Sequence, residues 1–129
     1  MNMIYRFLLV FFVLLFARGI NAQSESREIR GMTGGEKNSG DCGFIADKPN
    51  HILQLPQKVY SLSITVEAEG GKPSLLVIGP TDKERFCVLG DTTLGRKPEI
   101  KGVWLPGRYL IYVGEMEGNR YPFTLRINQ

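Results

Sequence analysis

The sequence predicts an all-β protein, an antiparallel β-sandwich of seven or eight short strands that follows a cleaved signal peptide. Apolar and polar residues alternate along several segments, which is the periodicity of a strand with one buried face. Turn-forming residues recur about every ten positions between these segments. No segment after the first 22 residues shows a helical period of useful length. These patterns favour two packed antiparallel sheets.

The first 22 residues have the pattern of a secretory signal peptide. Arg6 precedes the apolar run FLLVFFVLLFA, whose length of about eleven residues is short of the roughly 20 that span a bilayer. We predict cleavage after Ala22. Of the remaining residues, 23–41 are predicted to form a polar segment with a candidate edge strand, and 42–129 the sandwich domain. The alternative is a retained membrane anchor, which Arg18 disfavours because it interrupts the run.

Removal of the signal peptide changes the charge of the protein. The full chain has a formal net charge of +3, and the loss of Arg6 and Arg18 without any acidic residue leaves +1. A near-neutral surface gives little reason to expect nucleic acid or an anionic membrane as partner. We therefore predict one exported domain of about 107 residues, periplasmic or extracellular, with no stable membrane span after cleavage.

Cys42 and Cys87 are the two cysteines of the chain, and both lie in the segment predicted to be exported. In an oxidising compartment such a pair favours one disulfide, which would close a loop of about 46 residues and contribute roughly 4 kcal/mol on the chain-entropy model. The alternative is two buried free thiols. The spacing is not Cys-x-x-Cys, so it supports neither redox catalysis nor a zinc site.

The first half of the sandwich contains one strong strand signal and several weaker ones. Residues 27–35 are a weak strand candidate that ends in glycines, 36–43 are typical of a loop, and 51–55 form a short strand. Residues 59–67 alternate clearly between apolar and polar. The predicted core face carries Tyr60, Leu62, Ile64 and Val66, and the solvent face carries Ser61, Ser63, Thr65 and Glu67.

The second half continues with short strands. Residues 74–79 are apolar on both faces, as in an inner strand, 85–89 form another strand, and 90–98 are irregular. The strand at 99–105 contains Gly102, and a glycine inside a strand often marks a bulge. Residues 106–127 then form a hairpin. Its alternating apolar residues are Tyr109, Ile111 and Val113, then Tyr121, Phe123, Leu125 and Ile127.

The hairpin motifs PGRYLIYVG and YPFTLRI, with the upstream LSITV and LLVIGP, resemble the bacterial pre-peptidase C-terminal (PPC) domain family over about residues 50–127. The resemblance implies a jelly-roll-like sandwich with an accessory, binding or secretion-assisting role and no chemistry of its own. Members usually follow a secreted peptidase, whereas this module stands alone. Relatives often carry paired aspartates after the strand matching RFCV. Here the loop LGDTTLG keeps only Asp91, which weakens the case for calcium.

The residues suited to catalysis and metal binding do not form a recognisable motif. His51 is the histidine of the sandwich, and we expect a structural histidine that is hydrogen-bonded at a strand edge. Ser61 and Ser63 lie on a solvent face and not on a sharp turn, which disfavours a hydrolase triad. The acidic loop residues are too scattered for the six to eight oxygen ligands of calcium. They are Asp41, Asp47, Asp91 and Glu99, and we predict no cofactor, with calcium at Asp91 as the weak alternative.

Three residues are candidates for a binding surface. Trp104 favours a core position, with a stacking platform for sugars as the alternative. Leu110 and Tyr112 face away from the core side of their strand. Either another segment covers them, with 27–32 as the expected cover, or they form an apolar patch for a partner. Covering is the favoured interpretation.

These observations predict a non-enzymatic exported module that binds a protein or a component of the cell envelope. The alternative is a carbohydrate-binding module that uses Trp104 and nearby tyrosines and takes a polysaccharide ligand. A small hydrolase is a more distant third. The free edges of a sandwich also allow an extended peptide to pair by strand addition.

Overall fold

The computed structural model describes residues 26–81 and 83–129, so the predicted signal peptide at 1–22 lies outside the described residues. The described residues form ten strands. The strands are β1 (Ser26–Met32), β2 (Lys37–Asn38), β3 (Phe44–Ile45), β4 (His51–Leu55), β5 (Val59–Ala68), β6 (Pro73–Ile78), β7 (Arg85–Leu89), β8 (Glu99–Trp104), β9 (Gly107–Glu115) and β10 (Pro122–Asn128). No helix long and apolar enough to cross a membrane occurs in this part of the chain.

The strands form two sheets in which every pairing is antiparallel. Sheet 1 has the order β1-β10-β5-β8. Sheet 2 has the order β2-β3-β9-β6-β7, and β4 also pairs with β9. The predicted all-β, antiparallel sandwich is therefore confirmed.

Two strands were absent from the predicted set of seven or eight. Both β2 and β3 are two residues long, and β2 lies in the segment 36–43 that the sequence predicted to be a loop. That part of the prediction is wrong because two residues are too few to display the alternation on which strand prediction depends. The pair forms a small flap at the edge of sheet 2, where Phe44 pairs with Glu115 of β9.

The main core lies between the two sheets. Alternation along β5, β9 and β10 places one apolar side chain in every two against the opposite sheet. Burial of each such Leu, Ile or Val side chain contributes roughly 1.5–3 kcal/mol. The buried residues are Leu62, Ile64, Val66, Trp104, Phe123, Leu125 and Ile127 from sheet 1 and Leu53, Leu55, Leu75, Val77, Tyr109, Ile111 and Val113 from sheet 2.

A bulge in β5 places Tyr60 on the opposite face from the one predicted. Val59 pairs with Trp104 and Leu62 pairs with Gly102, so β5 has two residues where β8 has one between these pairs. Val59 consequently packs against the core, while the side chain of Tyr60 is 75% exposed. The prediction that Tyr60 faces the core is wrong because the extra residue shifts the alternation by one position.

A second apolar cluster covers the outer face of sheet 2. Tyr112 is only 8% exposed and clusters with Cys42, Ile45 and Leu76, and Leu110 packs against this cluster. Another segment thus covers Leu110 and Tyr112, which agrees with the interpretation that the sequence favoured over an exposed patch. The expected cover, 27–32, is wrong, because those residues form part of β1 at the edge of sheet 1. Residues 42–45 cover the face instead.

The predicted disulfide between Cys42 and Cys87 is confirmed. Its two Cα atoms are 5.8 Å apart, and the cysteines are separated by 45 positions in the chain. It attaches the covering segment to β7, the terminal strand of sheet 2. Asp41 and Arg85, which are near the two cysteines in the sequence, form an ion pair at 2.8 Å. The hydrogen bond from Arg85 lowers the pKa of the Asp41 carboxyl.

A buried carboxylate organises the turn between β9 and β10. The side chain of Glu115 is fully buried, and its Oε2 accepts hydrogen bonds from the backbone N–H groups of Glu117 at 2.7 Å and Asn119 at 3.2 Å. The buried Thr33 hydroxyl accepts a hydrogen bond from the N–H of Tyr121 at 2.9 Å. These contacts satisfy turn amides that no ladder reaches, in the turn that carries the chain from sheet 2 to sheet 1. The strands β9 and β10 do not pair with each other, so the hairpin predicted over 106–127 is wrong: alternation along two neighbouring strands does not show which sheet each one joins.

Candidate binding surface

A groove lies where the free edges of the two sheets approach each other. β8 ends sheet 1 and β7 ends sheet 2, so each has a strand neighbour on one side only. The groove between them has a volume of about 360 Å³. Its floor consists of Ile100, Gly102, Trp104 and Tyr109, and its rim of Glu84, Phe86, Lys101, Val103 and Leu105.

Two aromatic residues fix the floor of the groove. The rings of Trp104 and Tyr109 meet edge to face, with centroids 4.9 Å apart and an interplanar angle of 72°. Trp104 Nε1 donates a hydrogen bond to the Leu62 carbonyl at 3.2 Å, and the Tyr109 hydroxyl donates to the Leu105 carbonyl at 2.7 Å. Burial, and then the charge of Glu84, raises the pKa of Tyr109, which keeps its hydroxyl protonated as a donor.

The environment of Trp104 favours the core interpretation over the sugar platform. Trp104 is 6% exposed and belongs to the main core. A stacking platform needs one open ring face, and the faces of this indole are covered by protein. The residue therefore contributes a wall of the groove and not a flat exposed surface.

Large apolar side chains are exposed around the groove. We call Tyr60, Phe86, Val103 and Leu105 the β8 patch; their exposed fractions are 75%, 49%, 59% and 55%. Because Val59 pairs with Trp104, Tyr60 follows beside Val103 on the outer face of sheet 1. Phe86 pairs with Val77, whose side chain faces the core, so Phe86 points into the groove. Exposed apolar residues gathered in this way are typical of an interaction surface.

The main chain of β8 offers unpaired hydrogen-bonding groups beside this patch. The N–H of Val66 on β5 donates to the carbonyl of Pro98 at 3.0 Å, which fixes the phase of the ladder. In an antiparallel ladder successive residues point their N–H and C=O groups to alternate sides. Those of Ile100 and Gly102 therefore face β5, whereas those of Glu99, Lys101 and Val103 face away from the sheet.

The charges along β8 are unequally satisfied. Glu99 accepts a hydrogen bond from the Thr65 hydroxyl at 3.1 Å. Glu67, on the same face of sheet 1, is bound by Arg126 at 2.7 Å and Lys97 at 3.6 Å, which lowers the pKa of its carboxyl. Lys101 is exposed, and the structure shows no ion pair to it from residues 26–81 or 83–129. Its ammonium group is thus an open positive charge on the rim of the groove.

The acidic residues considered for calcium are not brought together. Asp91 Oδ1 accepts a hydrogen bond from the N–H of Thr93 at 3.0 Å, which stabilises its own turn. Asp41 pairs with Arg85, and Glu99 binds Thr65. No group of three or more His, Cys, Asp or Glu side chains suited to a metal ion occurs among the described residues.

His51 begins β4 and pairs with Ile111 of β9. Its Nε2 is buried and has no hydrogen-bond partner within the described part of the chain, so the expected hydrogen bond at this nitrogen is not formed. Burial, and then the positive charge of Arg27, lowers the pKa of the ring. The imidazole is therefore neutral at pH 7, and it lies on β4, away from the residues that line the groove.

No protein-family model matches the chain. The uncharacterized protein Synpcc7942_2126 of Synechococcus elongatus is 39% identical over 110 residues, which cover 82% of this chain and 78% of that protein. The chain belongs to the family of this Synechococcus protein. Its membership carries no activity with it, because that relative is itself uncharacterized.

A solved structure identifies the fold that this family adopts. The pre-peptidase C-terminal domain of a collagenase from Bacillus anthracis superposes with a TM-score of 0.55 at 16% sequence identity. The match covers 79% of this chain and 88% of that domain. The resemblance to PPC domains is therefore confirmed at the level of the fold.

Sequence reasoning missed most of the β8 patch. It singled out Trp104 and passed over Val103 and Leu105, although alternation in 99–105 places both on the opposite face from Trp104. The exposure of Phe86 was not predicted because a short apolar strand has the same sequence pattern at the edge of a sheet as in its middle. Only the strand order shows that β7 and β8 are both terminal.

Proposed function

We propose that this member of the Synechococcus protein family is a non-enzymatic exported binding module whose partner is a protein. The observation that carries the proposal is the β8 patch, four large exposed apolar side chains of which three, Phe86, Val103 and Leu105, line one groove. Apolar groups surrounded by polar residues, with a firmly packed floor, are the usual core of a protein interface. The groove holds no cluster of catalytic groups, since Glu84 is the acid that lines it.

Export is supported by the disulfide together with the signal pattern at 1–22. Disulfides persist in the periplasm and outside the cell, whereas thiols stay reduced in the cytosol. The PPC fold is consistent with this location, because the solved example is part of a collagenase. The proposed module works in an oxidising compartment, where its covering segment stays attached to β7.

The carbohydrate alternative is supported by two exposed aromatic rings of the patch, Tyr60 and Phe86, of which Tyr60 is the more exposed. The ammonium group of Lys58 lies 5.0 Å from the centroid of the Tyr60 ring and occupies one of its faces. The other members of the patch are Phe86, Val103 and Leu105, and two of these are aliphatic. Aliphatic side chains offer neither a stacking face nor hydrogen bonds to sugar hydroxyls, so we favour a protein partner.

The proposal is tested with a doubly substituted protein, Val103→Asp with Leu105→Asp, used as bait against the exported proteins of the source organism. We expect wild-type protein to retain a partner that the double variant loses. Leu94→Asp is the matched control, because Leu94 is 67% exposed on the 90–98 loop and is outside the patch. Equal capture by the wild type and a correctly folded double variant would overturn the proposal.

A polysaccharide titration tests the alternative in parallel. Trp104 and Tyr109 form the floor of the groove, so a ligand that enters it should change the tryptophan fluorescence. A saturable response to a polysaccharide that the Tyr60→Ser variant loses would favour the carbohydrate-binding module over a protein partner.

A further inference from the structure

We propose that the partner binds as an extended polypeptide strand that adds antiparallel to β8 and carries an acidic residue opposite Lys101. This inference rests on the function proposed above and names the chemistry of its partner. It combines three features of one edge: unpaired main-chain groups, a hollow in the groove, and an unpaired positive charge.

The main chain of β8 determines the mode of binding. Glu99, Lys101 and Val103 point their N–H and C=O groups away from β5, as the contact between Val66 and Pro98 establishes. A globular surface that only packed against the patch would leave these groups without partners. An added strand satisfies them, and every existing pairing in the sheet is antiparallel, so the added strand takes the same direction.

Gly102 provides the hollow. A Cβ atom built on this residue would have no heavy atom within 4 Å, although the residue lines the groove between Ile100 and Trp104. A partner residue opposite Gly102 directs its side chain to the same face of the sheet, into the groove. The walls of the groove are largely apolar, which selects an apolar side chain at that position.

Lys101 provides the charge selection. It lies on the outer face of sheet 1, and the described residues supply no carboxylate to it. Opposite charges that face each other across two strands stabilise the pairing, and like charges oppose it. The partner is therefore expected to carry Asp or Glu opposite Lys101.

The register translates into a short sequence pattern. Read from its N-terminus, an antiparallel partner meets Val103 first, then Gly102, then Lys101. The corresponding partner residues are apolar, apolar and acidic. A charged residue on an edge strand discourages unselective pairing, so Lys101 also limits which strands can add.

The experiment uses the peptide acetyl-Thr-Val-Leu-Glu-Thr-Lys-amide, with Val opposite Val103, Leu opposite Gly102 and Glu opposite Lys101. Binding to the purified, oxidised protein is measured by an NMR titration of backbone amides. We expect saturable shifts centred on Glu99, Lys101 and Val103. N-methylation at the peptide Val and Glu should abolish binding, whereas methylation at the Leu and the second Thr, whose amides point away from β8, should preserve it.

The charge is tested by reversal on both sides. Lys101→Glu should weaken binding of this peptide about fivefold or more, since cross-strand pairs contribute up to about 1 kcal/mol. A peptide with Lys in place of Glu should recover binding to that variant. Lys37→Glu is the matched control, because it makes the same charge change on β2, at the far end of sheet 2.

The outcomes separate this inference from the proposed function. Equal binding of the two methylated peptides overturns strand addition, and equal binding of the peptide to the wild type and to Lys101→Glu overturns the acidic residue proposed opposite Lys101. If no peptide binds but Val103→Asp with Leu105→Asp still loses the protein partner, strand addition is wrong and the binding module stands. If sedimentation shows that β8 is occupied by a second copy, which Lys101→Glu releases, the proposed foreign strand is wrong.

Discussion

Trp104 on β8 donates a hydrogen bond from its indole nitrogen to the main-chain carbonyl of Leu62 on β5, at 3.2 Å. The contact lies where the bulge shifts the register between these two strands. A side chain thus ties the edge strand to its neighbour at the place where the ladder is irregular. It also holds the indole in the core, beneath the residues of the β8 patch.

We therefore expect Trp104→Phe to lower the free energy of unfolding by about 1–3 kcal/mol, because it removes this hydrogen bond and leaves unfilled space. Urea denaturation measures the change. Tyr109→Phe serves as a comparison, since it removes only the hydroxyl contact to Leu105 and should cost about 0.5–1.5 kcal/mol. A Trp104→Phe variant as stable as the wild type would show that the contact does not anchor β8.

The bulge predicts opposite effects at two neighbouring positions of β5. Tyr60→Ser should leave the stability within about 0.5 kcal/mol of the wild type, because the ring is already exposed. Leu62→Ala should cost about 2–5 kcal/mol, because it opens a cavity in the main core. Thermal unfolding of the two variants checks this. A large loss of stability in Tyr60→Ser would contradict the bulge and favour the regular strand that simple alternation predicts.

Replacement of both cysteines by alanine, Cys42→Ala with Cys87→Ala, should lower the free energy of unfolding by about 2–5 kcal/mol. The loss reflects the unfolded chain, which is no longer cross-linked, and the covering segment, which is no longer attached to β7. Denaturation of the variant against oxidised wild type measures it. Reduced wild type is the control and should approach the variant; a reduced protein as stable as the oxidised one would contradict the prediction.

The stability of the protein should fall as the pH drops below about 6.5, and His51 should account for part of that fall. Burial, and then Arg27, lowers the pKa of His51 in the folded state below its unfolded value. At pH values between the folded and the unfolded pKa of His51, the unfolded chain takes up a proton at His51 that the folded chain does not. Unfolding is therefore favoured as the pH decreases. Urea midpoints at about pH 7.5 and about pH 5.5 give the slope.

His51→Gln is the variant for this measurement, because it removes the titrating group and keeps a polar side chain at the start of β4. Its urea midpoint should change less between the two pH values than that of the wild type. Carboxylates such as Asp41 and Glu67, whose pKa values are lowered by their arginine partners, lose their contribution only at more acidic pH. Equal slopes for the variant and the wild type would contradict the assignment to His51.

The long strands could be predicted from the sequence because periodicity is a local property. Leu62, Ile64 and Val66 alternate with polar residues, and all three are buried in the main core. The strands β9 and β10 were predicted for the same reason, but their pairing as a hairpin was wrong because they lie in different sheets. The disulfide was predicted because the chain has two cysteines and both lie in the segment predicted to be exported, where a disulfide is favoured over two free thiols.

The remaining features depend on contacts between distant parts of the chain. Nothing local in Phe44–Ile45 marks a two-residue strand, since its pairing with β9 is decided by a residue some seventy positions away. The bulge at Tyr60 arises from fitting β5 against β8, although Gly102 drew attention to the opposite strand. The β8 patch exists because β7 and β8, which are consecutive in the chain, end different sheets, and a single sequence does not reveal strand order.

The covering segment has a consequence for chains whose sulfurs stay reduced. Tyr112 and Leu76 are shielded by residues 42–45, which the Cys42–Cys87 bond attaches to β7. Without that bond the segment is held by the pairing of two short strands, by the Asp41–Arg85 ion pair and by packing, with no covalent attachment. When this segment moves away, an apolar surface on the outer face of sheet 2 is exposed, through which reduced molecules can associate. We therefore expect the disulfide to protect this protein from aggregation as well as from unfolding.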